Sequence, residues 1–284
     1  LNGIANSFLD TCVSPSLMEM FPKSASIANL FTKFSIVIAQ FLLPFFIGWV
    51  TGANMDYKTI FIICGILLII DAILVMFLPF PDENKVTTDI SAKHKLHFTS
   101  ASIAAILIGF TSSTTFMLWL NCNQELGNSY GIKDPSVLQS FYAAGAAIAV
   151  LATAQLMRMG LKNTSILILY PSISVVMLAL CYLIQAPFIL YIGSFVIGYA
   201  AAGGVLQLAT VTIINFFPFN KGLATSMCMF ASSIANYAML SLAAYITGAS
   251  STNAPRLIIL LNIIVTLIGI ILAVIVRKNK TQRD

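Results

Sequence analysis

The chain has 284 residues, of which 58% are hydrophobic and only 9% charged, with a mean hydropathy of +0.92 and a formal net charge of +5. A soluble domain carries roughly 25% charged residues, so this sequence cannot cover a water-facing surface. Apolar runs of about 20 residues, enough to cross a hydrocarbon core, recur from end to end and predict an all-α polytopic membrane protein with no soluble domain.

In chain order the predicted helices are 1–21, 26–50, 58–79, 99–126, 136–159, 163–185, 187–217, 221–248 and 254–277. Turn residues separate them, among them Phe21-Pro22-Lys23, Gly52-Ala53-Asn54, Asp134-Pro135 and Pro218-Phe219-Asn220. Leu1 is not a methionine and nothing near it reads as a cleavable leader, so the chain is expected to start inside a larger protein. The five cysteines, Cys12, Cys64, Cys122, Cys181 and Cys228, stand singly within apolar runs and read as small packing residues.

The first helix poses the sharpest question. Asp10 lies about 20 Å from the turn at Pro22, at roughly 1.5 Å per residue, near the middle of a bilayer. A carboxylate there costs on the order of 2.5–3.5 kcal/mol, so a partner, a wet cavity or protonation must offset it. Asn2, Asn6, Asp10 and Ser14 recur every four residues and form one polar stripe. Helix 26–50 carries an answering face of Asn29, Lys33 and Gln40. Counted from Lys23, Asp10 and Lys33 differ in depth by about one helical turn, which predicts that they approach each other, directly or through water. Either a structural ion pair or a proton-coupling pair fits. Asp71, about 13 Å inside helix 58–79, is a rival partner for Lys33 without a polar stripe of its own, and Glu19 reads as interfacial.

The segment 79–98 is the one long charged loop. His94 and His97 lie in it beside Lys93 and Lys95, a solvated basic stretch rather than a metal site, and no metal or other cofactor is expected. Helix 99–126 then concentrates polar residues in GFTSSTTFMLWLNCNQELG. Thr114, Leu118, Asn121 and Glu125 share a face, with Thr115, Trp119 and Cys122 adjacent. Amides suit the hydroxyls of a small polar solute and the indole offers an apolar face and one donor; the alternative is helix–helix glue. Asn6, Gln40, Thr115, Trp119, Asn121, Gln124, Glu125 and Gln207 are therefore the candidate solute contacts. Gln124 and Glu125 could equally belong to an outer rim, and the glycines before Gln207 permit close helix packing.

Orientation follows from Lys and Arg. Alternate threading gives one side Lys23, Lys85, Lys93, Lys95, Arg158, Lys162, Lys221, Arg277, Lys278, Lys280 and Arg283, and the other Lys58, Lys133 and Arg256. This bias predicts a cytoplasmic C-terminus in the cell membrane. It also explains the positive charge without nucleic acid.

Three helices, a long loop and six helices ending in a basic tail resemble a major facilitator superfamily transporter that lacks its first three helices, in which two six-helix halves flank a cytoplasmic loop. IINFFPFNKGLATSM (213–227) echoes LMEMFPKSASIANLF (17–31), as equivalent turns in parallel halves would, and LMRMGLKN (156–163) resembles a degenerate copy of the family's basic, glycine-containing loop. Within the family, SFLDTCVSPSLMEMFPKSASIAN is similar to the fourth helix of fucose–proton symporter-type permeases, with Leu9-Asp10-Thr11 and Pro15 in the places of a Leu-Glu-Thr and its proline. The resemblance implies nine helices of a twelve-helix fold: 1–80 closing the N-terminal bundle, 81–98 joining the bundles, and 99–284 forming the C-terminal bundle. It implies a monomeric transporter of a small, sugar-like polar solute, driven by protons through Asp10 and Lys33. Efflux, antiport or a non-transporting sensor are the alternatives. HExxH and GxGD are missing and both histidines lie in a loop, which argues against an intramembrane enzyme.

Overall fold

The computed structural model describes residues 12–53, 56–77, 98–249 and 253–281. Asp10, Asn6 and Asn2 lie outside the described residues, as does most of the loop 79–98 with His94 and His97. Within the described residues the chain is helical: α1 (12–20), α2 (Ala25–Gly52), α3 (Tyr57–Met76), α4 (Ser100–Ser129), α5 (Val137–Arg158), α6 (Asn163–Leu183), α7 (Pro187–Ile197), α8 (Val205–Phe216), α9 (Lys221–Ala249) and α10 (Ala254–Thr281). Among the described residues eight stretches are long and apolar enough to cross a membrane, the segment Pro187–Phe216 counting as one.

Local chemistry sets the helix ends. Thr99 and Ser102 cap α4 reciprocally: the Ser102 amide donates to Thr99 Oγ1 at 3.2 Å and the Thr99 amide to Ser102 Oγ at 2.9 Å. α5 stops at Gly160, whose φ of 94° lets the Leu161 amide fold back onto the Leu156 carbonyl.

The expected helix 187–217 is one span but not one α-helix. It passes through a π-helical turn at Gly198–Ala202 and a left-handed residue at Gly204, φ 105°, before α8 resumes. The cause is a close approach of neighbours: a Cβ on Gly198 would collide with the Tyr142 carbonyl, one on Gly145 with the Phe195 carbonyl, and one on Gly204 with Leu30. Small residues thus admit α5 and α2 to the broken span.

α10 packs along α4 and α6, α9 covers α4, and α5 lies against α7 and the π-turn. α2 reaches across to α5 and α8, while α3 leans on α2. None of the Lys58–Met76 span is buried, and Asp71 within it is exposed. Two contacts fasten the first helices to the last six at the end rich in basic residues. Lys221 Nζ pairs with Glu19 Oε1 at 3.2 Å, and Asn163 Nδ2 donates to Ser26 Oγ at 2.9 Å.

Candidate functional site

α2 presents one buried face toward the last six helices: Asn29, Leu30, Lys33 and Val37. Leu30 seats against Gly204 and joins the larger apolar cluster with α4, α6 and α8, whereas Val37 belongs to a second cluster with Trp119 and Tyr142. Beside these anchors the same face carries two polar residues. Asn29 is fully buried; its Oδ1 accepts from Ser14 Oγ at 2.9 Å, and its Nδ2 has no partner among the described residues. Ser14, the member of the predicted stripe that falls within the described residues, thereby meets Asn29 of α2.

Lys33 follows one turn later and is only 9% exposed. Its ammonium lies 5.4 Å from the centroid of the Phe116 ring on α4, within cation–π range. Among the described residues no carboxylate lies within ion-pair distance of it, so Asp71 is not its partner. An aromatic face offsets only part of the cost of a buried ammonium.

The polar run on α4 divides three ways. One set ties helices together. Thr115 Oγ1 shares a 2.8 Å hydrogen bond with Thr266 Oγ1, and Asn262 Nδ2 donates to the Thr115 carbonyl at 3.0 Å, linking α4 to α10. Ser113 donates to Asn236 Oδ1 and accepts from Ser232, linking α4 to α9. A second set, Asn121, Gln124 and Glu125, is exposed near the far end of α4, with Asn121 Nδ2 donating to the Met117 carbonyl. The third is buried and unsatisfied. Among the described residues Trp119 Nε1 and both amide atoms of Asn123 have no partner, and neither does the Tyr142 hydroxyl across on α5. Buried polar groups are ordinarily bonded, so unpaired ones call for a water or a ligand. A cavity of about 10 Å³ adjoins Trp119, Asn123 and Asn262, room for about one water.

Gln40 and Gln207 are both half-buried, and Gln207 follows the Gly203-Gly204 break by one turn. Behind that break, Thr153 Oγ1 and Tyr170 OH lie 2.7 Å apart, and Tyr170 OH lies 3.5 Å from Tyr199 OH. The sequence singles out neither Asn123 nor this hydroxyl chain: Asn123 lies in the polar run Asn121–Glu125 with nothing in its spacing to mark it as the buried member, and spacing gives no signal for the hydroxyls.

The Major Facilitator Superfamily profile matches residues 1–186 of the chain, more than half its length. The inner membrane transport protein YdiM of Escherichia coli (strain K12) is 32% identical over 297 residues, an alignment that takes in 100% of this chain and 72% of that protein. The chain belongs to the Major Facilitator Superfamily. The inner membrane transport protein YdiN of the same strain is 28% identical over 96% of the chain, and the uncharacterized MFS-type transporter YfkL of Bacillus subtilis (strain 168) 29% over 83%. The chain spans 66% and 62% of those two relatives, about two thirds of their length. Membership makes this a multi-pass membrane transport protein rather than an enzyme.

Proposed function

We propose that the full-length protein is a secondary active transporter that moves a small polar solute by alternating access, with proton symport as the driving reaction. Residues 1–80 close the first bundle, 81–98 connect the bundles, and 99–284 form the second, with the C-terminus cytoplasmic. The observation that carries this reading is Lys33: a cation inside a membrane span, enclosed where α2 meets α4, with an aromatic ring as its neighbour and no carboxylate at ion-pair distance among the described residues. Intramembrane ionisable groups are costly and mark substrate or ion pathways. Asp10, one helix earlier and at similar depth, is the group able to exchange a proton against that cation.

The solute reading rests on unsatisfied donors. Trp119 Nε1, the Asn123 amide and the Tyr142 hydroxyl are buried without partners among the described residues, and hydroxyl groups of a sugar-like solute suit them. The likeness of SFLDTCVSPSLMEMFPK to fucose–proton symporter-type permeases supports uptake of such a compound. Glu19–Lys221 and Ser26–Asn163 join the two sets of helices at the basic end.

The test uses the full-length protein in proteoliposomes with an inward proton gradient and a panel of labelled monosaccharides. The expected outcome is gradient-driven accumulation of one of them, abolished in Asp10→Asn while counterflow exchange persists. Unaltered accumulation in Asp10→Asn removes that residue from the proton path. Thermal stabilisation by a sugar with no flux under any gradient overturns transport in favour of a sensor.

A further inference from the structure

At the basic end, between the α5–α6 turn, α6 and the last turns of α10, the described residues form an open groove of about 480 Å³. Its composition changes along its length. Lys162, just before α6, is followed along that helix by Ser165, Ile168, Leu169 and Ser172, and α10 contributes Arg277. Lys162 and Arg277 are exposed, as is Leu169. From Lys162 to Ser172 the helix advances about 15 Å, the distance from a membrane's headgroup layer well into its acyl chains. Among the described residues that line it there is no carboxylate.

We propose that this groove is a binding site for one anionic phospholipid of the surrounding bilayer. The phosphate lies between Lys162 and Arg277, the Ser165 hydroxyl serves the glycerol region, and an acyl chain follows Ile168 and Leu169. The order of the groove matches the order of a phospholipid: charge at the aqueous end, a hydroxyl next, hydrocarbon below. Basic pockets between transmembrane helices recognise anionic headgroups in this way, through charge at the membrane surface. A zwitterionic lipid, whose own amine would meet the two cations, is disfavoured. The site is remote in kind from the proposed transport path, because its loss leaves Lys33 and Trp119 untouched.

The experiment is native mass spectrometry of the full-length protein in neutral detergent, titrated with phosphatidylglycerol or phosphatidylcholine. Phosphatidylglycerol is expected to be retained preferentially, with retention falling about fivefold for each cation removed in Lys162→Gln, Arg277→Gln and the double variant. Both side chains are exposed, so the single variants are expected to fold; Lys133→Gln serves as the comparison without effect. Excess inorganic phosphate should leave the lipid bound. Equal retention of the two lipids, or unchanged retention in the double variant, overturns the proposal. Complete displacement by inorganic phosphate overturns it as well, since free phosphate would then be the ligand. None of these readouts depends on transport, so failure here and failure of the transporter reading are separable.

Discussion

Lys221 at the start of α9 reaches Glu19 at the end of α1, Nζ to Oε1 at 3.2 Å, across 202 residues of sequence. The pair joins the first helices to the last six where the Ser26–Asn163 hydrogen bond also joins them. Both side chains keep about a third of their surface exposed, so the pair is worth about 0.5 kcal/mol rather than the full Coulomb energy of a buried contact. Glu19→Gln should therefore loosen this end by roughly twofold. Disulfide formation between Ser26→Cys and Asn163→Cys in the full-length protein measures it: a twofold lower rate is expected, restored by the exchange Glu19→Lys with Lys221→Glu. Added salt should mimic the single substitution.

Lys33→Met should separate coupling from folding. The methionine keeps the length of the side chain and removes an ammonium that has only the Phe116 ring as its described neighbour. Loss of the cation–π contact costs about 1 kcal/mol, offset by the relief of desolvation, so melting in detergent should stay near the parent value. Gradient-driven accumulation should disappear. Retention of accumulation with full stability would make Lys33 a packing residue.

Gly204 and Leu30 test how α2 is seated. Gly204→Ala forces a Cβ onto a left-handed backbone, costing about 1–2 kcal/mol, and drives it into Leu30. Leu30→Ala alone opens a cavity in the larger core, at about 2–5 kcal/mol. The double variant should lose less stability than the sum, by about 1 kcal/mol, because the shortened side chain vacates the space the new methyl needs. Strict additivity of the melting shifts would place Leu30 away from the break in solution.

The spans were legible because a bilayer imposes a length and an apolar run reports it directly. Hydropathy does not register how the backbone is wound, so GYAAAGGV promised close packing but not the π-turn and left-handed glycine that accomplish it. The polar stripe of α2 was legible by spacing, and Asn29 and Lys33 are both buried. The use of each α4 hydroxyl was not. Thr115 and Trp119 neighbour each other on one helix, yet Thr266 and Asn262 satisfy the first and nothing described satisfies the second. Only the rotation of α10 against α4 decides that, and it is a tertiary property. The Glu19–Lys221 pair was equally hidden, since a charge at a membrane interface looks the same in sequence whether paired or solvated.

Thr115 and Trp119 accordingly give opposite expectations. Thr115→Val removes a hydroxyl shared with Thr266, a contact worth about 0.6 kcal/mol in membrane helices, and leaves Thr266 its bond to the Asn262 carbonyl at 2.7 Å. Stability should fall slightly and the transport KM should move less than twofold. Trp119→Phe removes an N–H that no described group accepts, so folding loses no hydrogen bond, while a solute held by that donor loses one. The expected result is a KM about tenfold higher, equivalent to about 1.4 kcal/mol, with the melting temperature lowered only by the smaller ring. If Thr115→Val raised KM and Trp119→Phe did not, the helix–helix bond would be the solute contact, and the unpaired indole would be answering to a buried water.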